Sequence, residues 1–106
     1  MKKLVLLIFL FTLTLLARQP QEIIDTICST CHGFNMEKKC FSVSEIPNTL
    51  SSSYILEALT QYRAGKKSDY RMGSTMTAET STLTDEEIKA LSIYVKALGQ
   101  KKKEEK

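Results

Sequence analysis

The chain has 106 residues, of which 42% are hydrophobic, and this length allows one domain but not several. A domain this small often depends on a metal, a disulfide or another covalent staple. The formal net charge of +3 does not indicate the basic face that nucleic-acid binders carry, so we predict no nucleic-acid partner.

The first predicted element is a secretory signal over residues 1–17. Two lysines precede an apolar run over residues 4–16, which is shorter than the roughly 20 residues that a membrane span needs. Ala17 suits cleavage, although Leu15 stands where a small residue is usual. We expect export to the periplasm with cleavage after Ala17. An uncleaved anchor in the inner membrane is the alternative.

The rest of the chain is predicted to be all-α, with one domain over residues 18–100 and a charged, solvated tail over residues 101–106. A first helix begins near Pro20, whose ring suits the first helical turn, and it runs into a pair of cysteines. Residues 33–50 contain Gly, Asn, Ser and Pro without a sustained period and are predicted to form a loop. The buried face of the first helix carries Ile23, Ile24 and Ile27.

A serine run over residues 51–53 is placed to cap a second helix, and Gly65 is placed to end it. Residues 66–83 are polar, rich in Thr and Ser, and too irregular to predict a helix. The apolar stripe of the second helix comprises Ile55, Ala58, Leu59 and Tyr62.

The last helix has the clearest start, because Thr84 and Glu87 have the spacing of a capping box. Gly99 is expected to end this helix. Its apolar face comprises Ile88, Leu91, Val95 and Leu98. No segment of the sequence shows a convincing strand pattern.

The motif that carries chemistry is Cys-Ser-Thr-Cys-His at residues 28–32. In C-x-x-C-H, the two thiols add across the vinyl groups of haem and the histidine supplies the proximal imidazole. The spacing therefore predicts covalent haem attachment at Cys28 and Cys31, with His32 on the iron. Export agrees with this, because covalent haem attachment takes place outside the cytoplasm.

Other uses of a C-x-x-C pair fit this sequence less well. A thioredoxin-like dithiol wants a βαβ setting, which the sequence does not show. A tetrahedral zinc site needs four ligands, and beyond the motif only Cys40 offers a thiolate. A structural disulfide leaves an odd cysteine over.

The sixth ligand of the iron is predicted to be a methionine, because the chain has one histidine and a thioether suits electron transfer. Met36 is only four residues beyond His32 and would hardly reach the opposite face. Met72 and Met76 both precede the last helix, and the residues alone do not choose between them.

From Cys28 to Leu98, the chain resembles the small monohaem class I cytochromes c of bacteria. The resemblance is carried by CSTCHG at residues 28–33, by YRAG at 62–65 and by MTAETSTLTDEEIKALSIYVKAL at 76–98. In this family the ligand methionine stands about nine residues ahead of a Ser/Thr-Asp-Glu-Glu helix start. The resemblance therefore implies Met76 as the ligand, with Met72 as the second choice. Met36, a methionine in a loop, is interpreted as a surface or core filler.

The resemblance implies a class I cytochrome c fold of three to four helices around one covalent haem, in which the first and last helices cross. It also implies that a proline carbonyl, here of Pro47, orients the proximal imidazole. Arg63 either approaches a haem propionate or is simply solvated. The residues expected at the helix crossing are Ile23, Ile24, Ile27, Leu91, Tyr94 and Leu98.

Cys40 departs from the family pattern, in which a small apolar residue is more usual at this position. We expect a buried thiol without a catalytic role. The alternative is an exposed thiol that forms dimers.

With both axial positions filled, no substrate reaches the iron, so we expect an electron carrier and not an enzyme. Its expected partners are larger redox proteins, including transient docking to membrane complexes. One alternative is a haem subunit of a membrane complex that is tethered by the uncleaved segment of residues 1–17. The other is a ligand-binding or catalytic haem protein whose sixth iron ligand is labile. The lysines that either steer acidic partners or are merely solvated are Lys38, Lys39, Lys66 and Lys67.

Overall fold

The computed structural model describes residues 17–40, 45–67 and 73–104, and the segment predicted as a signal lies outside these ranges apart from its last residue. The described residues form four helices and a short 3-10 turn, and no strand occurs among them. This confirms the predicted all-α class.

Helix α1 runs through residues 20–32, with proline in its first turn as predicted. Its middle is a π-helical turn, in which the Ser29 amide donates to the Ile24 carbonyl. Such turns are frequent at functional sites, and this one leads directly into the cysteine motif. The helix ends at Gly33, whose φ of +82° suits glycine. The three segments of α1 are Pro20–Ile23, Ile24–Cys28 and Ser29–His32.

Helix α2 spans Ser52–Arg63 and begins as predicted. The Ser51 hydroxyl accepts a hydrogen bond from the Tyr54 amide at 3.2 Å, which satisfies one of the donors left open at a helix start. The sequence therefore fixes where α2 begins.

Helix α3 spans Gly73–Thr80, and the prediction of an irregular segment over residues 66–83 is wrong for this stretch. Its sequence has little apolar periodicity, but α3 packs against α2. The buried Thr80 hydroxyl also donates to the Met76 carbonyl at 2.8 Å. Tertiary packing stabilises a helix that its own sequence would not predict.

Helix α4 spans Asp85–Glu104, and its capping box is present as predicted. The Thr84 hydroxyl accepts from the Glu87 amide at 3.1 Å, and the Glu87 carboxylate accepts from the Thr84 amide at 2.9 Å. The predicted stop at Gly99 is wrong, because the helix continues into residues 101–104, which were predicted to be part of the tail.

Gly99 has a packing role in place of a terminating one. A Cβ atom at this position would lie 1.9 Å from the carbonyl oxygen of Asn48. Asn48 belongs to the 3-10 turn Pro47–Thr49, which packs against α4. The missing side chain therefore lets this turn approach the helix closely.

The core lies where α4 packs against α2 and the start of α1. The predicted crossing of the first and last helices is present: Ile23, Ile24 and Leu91 are buried, while Ile27, Tyr94 and Leu98 are partly buried against them. Met36, predicted as a surface or core filler, belongs to this core.

Candidate functional site

A cavity of about 350 Å³ lies between the four helices. This volume is within the range of ligand pockets in proteins. Leu91 and Val95 of α4 form part of its wall, so the cavity lies directly beside the core. The apolar stripe predicted for α2 also faces it: Ile55, Ala58, Leu59 and Tyr62.

The end of α1 brings all three functional residues of the cysteine motif to this cavity. Cys28, Cys31 and His32 line it together. The two cysteines are half-buried and His32 is buried. One helical turn thus presents two thiols and an imidazole to the same apolar space.

The orientation of the His32 ring is fixed by a backbone carbonyl. Its Nδ1 lies 3.0 Å from the carbonyl oxygen of Lys38. A carbonyl only accepts hydrogen bonds, so Nδ1 carries a proton in this contact, and Nε2 is the nitrogen that the neutral ring can offer to a metal. The imidazole is therefore held in the tautomer that binds a metal through Nε2.

The structure gives this orienting role to Lys38 and not to Pro47. Pro47 lines the cavity and begins the 3-10 turn, but the acceptor of the imidazole proton is the Lys38 carbonyl. Lys38 was missed as an orienting residue because the contact uses its backbone, which leaves no signal in the side chains of the sequence.

Met76 lies on α3 and lines the same cavity as His32. Its carbonyl accepts from the Thr80 hydroxyl, whose residue is 2% exposed. Met36 also lines the cavity, from the loop after the motif. Met72, the second choice for the iron ligand, lies outside the described residues.

Two thiols that line the cavity, those of Cys28 and Cys40, have raised pKa values. Burial is the main cause that raises the pKa of Cys28 to about 11, followed by the charges of Glu79 and Cys31. The pKa of Cys40 is also raised to about 11, chiefly by burial and then by a hydrogen bond with Cys31. Neither thiol is therefore an activated nucleophile at neutral pH.

Cys40 is 5% exposed, which confirms its predicted burial. It lines the cavity beside Cys31, a proximity that the sequence did not indicate. Within the ranges that the structure describes, no group of three or more His, Cys, Asp or Glu residues is arranged to hold a metal ion by itself.

Arg63 is not among the residues that line the cavity. Its guanidinium donates to the Leu83 carbonyl at 2.9 Å and forms an ion pair with Asp85. These contacts join the end of α2 to the start of α4. The structure therefore shows a structural use of Arg63 that the sequence did not indicate.

The cation in the cavity wall is Lys67, which is half-buried. Its Nζ lies 5.5 Å from the centre of the Tyr54 ring and 5.8 Å from that of Tyr62, within the range of cation–π attraction. Lys38, Lys39 and Lys66 are exposed.

The chemistry of the donor set fits a covalent haem. Cys28 and Cys31 offer thiols for attachment, while His32 and Met76 offer a nitrogen and a thioether sulfur on the same cavity. The surrounding side chains are largely apolar, as a porphyrin needs. Nothing else among the described residues combines these groups at one place.

The described helices include none that is long and apolar enough to span a bilayer.

Comparison with known proteins agrees with the site. The family model described as cytochrome c matches residues 18–99. Two curated relatives, both named cytochrome c-553, come from Helicobacter pylori strains J99 and 26695. They are 38% and 35% identical to this chain over 71 residues, which cover 67% of this chain and 70% of each relative.

Proposed function

The chain belongs to the cytochrome c family and is a haem-based electron carrier, and we propose that His32 and Met76 hold its iron from opposite sides. The observation that carries this proposal is their shared cavity. His32 comes to it from the end of α1 and Met76 from α3, and both thiols of the attachment motif line it too.

The bound haem supplies an iron that changes its charge by one electron. The protein's own residues prepare the place for it. The Lys38 carbonyl holds His32 with Nε2 available, and a thioether at Met76 favours the reduced iron and raises the potential. The apolar walls from α2 and α4 keep water away from the ring. With His32 and Met76 both holding the iron, the haem would supply electron transfer without an open coordination position for a substrate.

We also propose that the carrier serves other redox proteins in brief encounters. Small interfaces are typical of redox partners, and cations near the haem edge attract acidic surfaces. Lys38 and Lys39 follow the motif and are exposed, so they are available for such contacts. Membrane complexes are included among the partners that this surface suits.

We propose that the protein works in the periplasm. The support is the composition of residues 1–17, which has the charged start and short apolar run of an export signal. Covalent attachment of haem outside the cytoplasm agrees with it. The proposed cleavage follows Ala17.

The experiment that tests the axial ligands is an oxidised and reduced absorption spectrum of the protein exported with the haem-maturation machinery. The unmutated protein is expected to be low-spin, with a methionine–iron band in the oxidised form. Met76→Ala should abolish this band, and Met72→Ala serves as the matched control that retains it. Loss of the band only in Met72→Ala would assign the ligand to Met72 and overturn the proposal for Met76.

A further inference from the structure

The buried carboxylate of Glu87 holds the backbone at Arg18 as well as capping its own helix. The Arg18 amide nitrogen lies 3.1 Å from Glu87 Oε2. The Arg18 side chain approaches the same carboxylate, with Nε 2.8 Å from Oε2 and Nη2 3.2 Å from Oε1. One carboxylate therefore accepts hydrogen bonds from both the main chain and the side chain of a residue 69 positions away.

The contact between Glu87 and Arg18 is partly buried and is supported by several hydrogen bonds. Glu87 is 4% exposed, and its pKa is lowered to about 2, mainly by the side-chain hydrogen bond with Arg18. Arg18 also donates from Nη2 to the Thr82 carbonyl at 3.2 Å. A buried carboxylate needs compensation for lost solvation, and here it receives this from the extreme start of the domain.

Glu87 does more than the capping box of α4 requires. In the capping box, one carboxylate oxygen of Glu87 and the Glu87 amide are each hydrogen-bonded to Thr84. The second oxygen, Oε2, accepts hydrogen bonds from the Arg18 main-chain nitrogen and from Arg18 Nε. The contact thereby ties the first residue of the predicted mature domain to the start of its last helix.

We propose that Glu87 is a binding site for the α-ammonium group that cleavage after Ala17 creates at Arg18. This rests on the cleavage proposed above. Ala17 itself is exposed. Because Arg18 N already donates to the carboxylate as a neutral amide, cleavage places a positive charge at an existing contact.

The chemical step is a hydrolysis that consumes one water. The carbon–nitrogen bond between Ala17 and Arg18 breaks, the Ala17 carbonyl carbon takes the hydroxyl, and the Arg18 nitrogen takes the hydrogen. The proton lost by the new Ala17 carboxylic acid equals the proton that turns the new amine into ammonium. An endopeptidase that removes export signals performs this step.

The charge strengthens the contact, because the ammonium adds Coulomb attraction to a hydrogen bond that the ionised carboxylate already assists. An α-amine normally has a pKa near 8 and is mostly protonated at neutral pH. The contact is therefore an ion pair in the cleaved chain and a hydrogen bond from an amide to a carboxylate in the uncleaved chain. Removal of the signal thus stabilises the fold that it releases.

Two haem-loaded chains test the binding site directly. One begins at Arg18, and the matched control carries a single added glycine, which restores the neutral amide at Arg18 and moves the ammonium one residue outward. In denaturant at pH 7, the chain that begins at Arg18 should have a folded-to-unfolded ratio about fivefold higher. Equal ratios for the two chains would overturn the proposal.

The same pair of chains with Glu87→Gln identifies the partner of the ammonium. The fivefold difference should disappear in this background, and a difference that persists would show that another group binds the terminus. If Glu87→Gln does not fold, the pKa of the α-amine in the unmutated chain that begins at Arg18 tests the proposal instead. It should lie above its ordinary value of about 8, and an ordinary value would overturn the proposal.

The processing site needs its own measurement. The intact mass of the protein made with its own leader should correspond to a chain that begins at Arg18 and carries one haem. A mature chain that begins elsewhere would overturn the natural role of Glu87. The axial ligands of the proposed function are unaffected by that result, because the spectra of the Met76 variant test them separately.

Discussion

Two hydrogen bonds join His32 and Lys38. The Lys38 carbonyl accepts from Nδ1 of His32 at 3.0 Å, and the Lys38 amide donates to the His32 carbonyl at 2.9 Å. The loop after α1 thus closes on the residue that ends the helix. Both bonds use the backbone of Lys38, so its side chain is free to vary without disturbing the imidazole.

This pairing predicts that Lys38→Pro alters the haem while Lys38→Ala does not. Proline removes the amide that donates to His32 and displaces the loop that carries the accepting carbonyl. A weaker bond at Nδ1 makes the imidazole a poorer electron donor, so the midpoint potential should rise in Lys38→Pro. Unfolding should also cost about 1 kcal/mol less free energy. Equal potentials in the two variants, measured by redox titration, would contradict this role for Lys38.

Thr80→Val should destabilise α3, which carries Met76. The substitution keeps the shape of the side chain but removes a hydroxyl that donates to the Met76 carbonyl at 2.8 Å. Because Thr80 is 2% exposed, the lost bond should lower the free energy of unfolding by about 1 kcal/mol. Ser81→Ala is the matched control, since its hydroxyl also bonds to a carbonyl but is exposed. If denaturant titrations show that Thr80→Val and Ser81→Ala lose equal free energy of unfolding, burial does not contribute to the strength of the Thr80 hydrogen bond.

Gly99→Ala should destabilise the protein, although alanine is the better helix former. Propensity alone favours alanine by about 1 kcal/mol. A Cβ atom only 1.9 Å from the Asn48 carbonyl oxygen must push the 3-10 turn away, and overpacking of this kind costs about 1–3 kcal/mol. The net loss should appear in denaturant titrations as a lower midpoint.

The control for Gly99→Ala is Ala97→Gly at an exposed position of the same helix. This change should cost about 1 kcal/mol through propensity alone. If Gly99→Ala stabilises the protein by a similar amount, the close approach to Asn48 has no energetic importance.

The Glu87–Arg18 ion pair predicts a specific acid sensitivity. Arg18 lowers the pKa of Glu87 to about 2 from an ordinary value near 4.5. A carboxyl with a lowered pKa contributes its full stability above the unfolded value, and this contribution is lost as the pH falls from about 4.5 through 2. The unmutated protein should lose about 2 kcal/mol over this range through Glu87.

Glu87→Gln should remove this part of the pH dependence, and Glu86→Gln is the control because Glu86 is exposed on the same turn. Unfolding measured at pH 6 and at pH 2.5 separates the two. Parallel curves for the unmutated protein and Glu87→Gln would contradict the ion pair.

The elements with local signals were predictable from the sequence. Ser51, Thr84 and Glu87 fix the starts of two helices through bonds to neighbours three residues away. The attachment motif identified its own chemistry, since its residues are adjacent in the chain. In each case the interaction that matters lies within one helical turn.

The missed features depend on contacts between distant segments. Helix α3 packs on α2, and the 3-10 turn lies so close to α4 that Gly99 has a packing role and not a terminating one. The Lys38 carbonyl has no side-chain signal at all. The contacts of Arg63 with Asp85 and the Leu83 carbonyl likewise join residues about 20 positions apart, and the sequence did not indicate them.

The most direct test of the central claim is to measure, by absorption spectroscopy, whether carbon monoxide binds to the reduced protein at neutral pH. If His32 and Met76 both hold the iron, the unmutated protein should not bind the gas, and Met76→Ala should bind it as a positive control. Tight binding by the unmutated protein would contradict the account of a closed electron carrier and would indicate a site for ligand binding or catalysis.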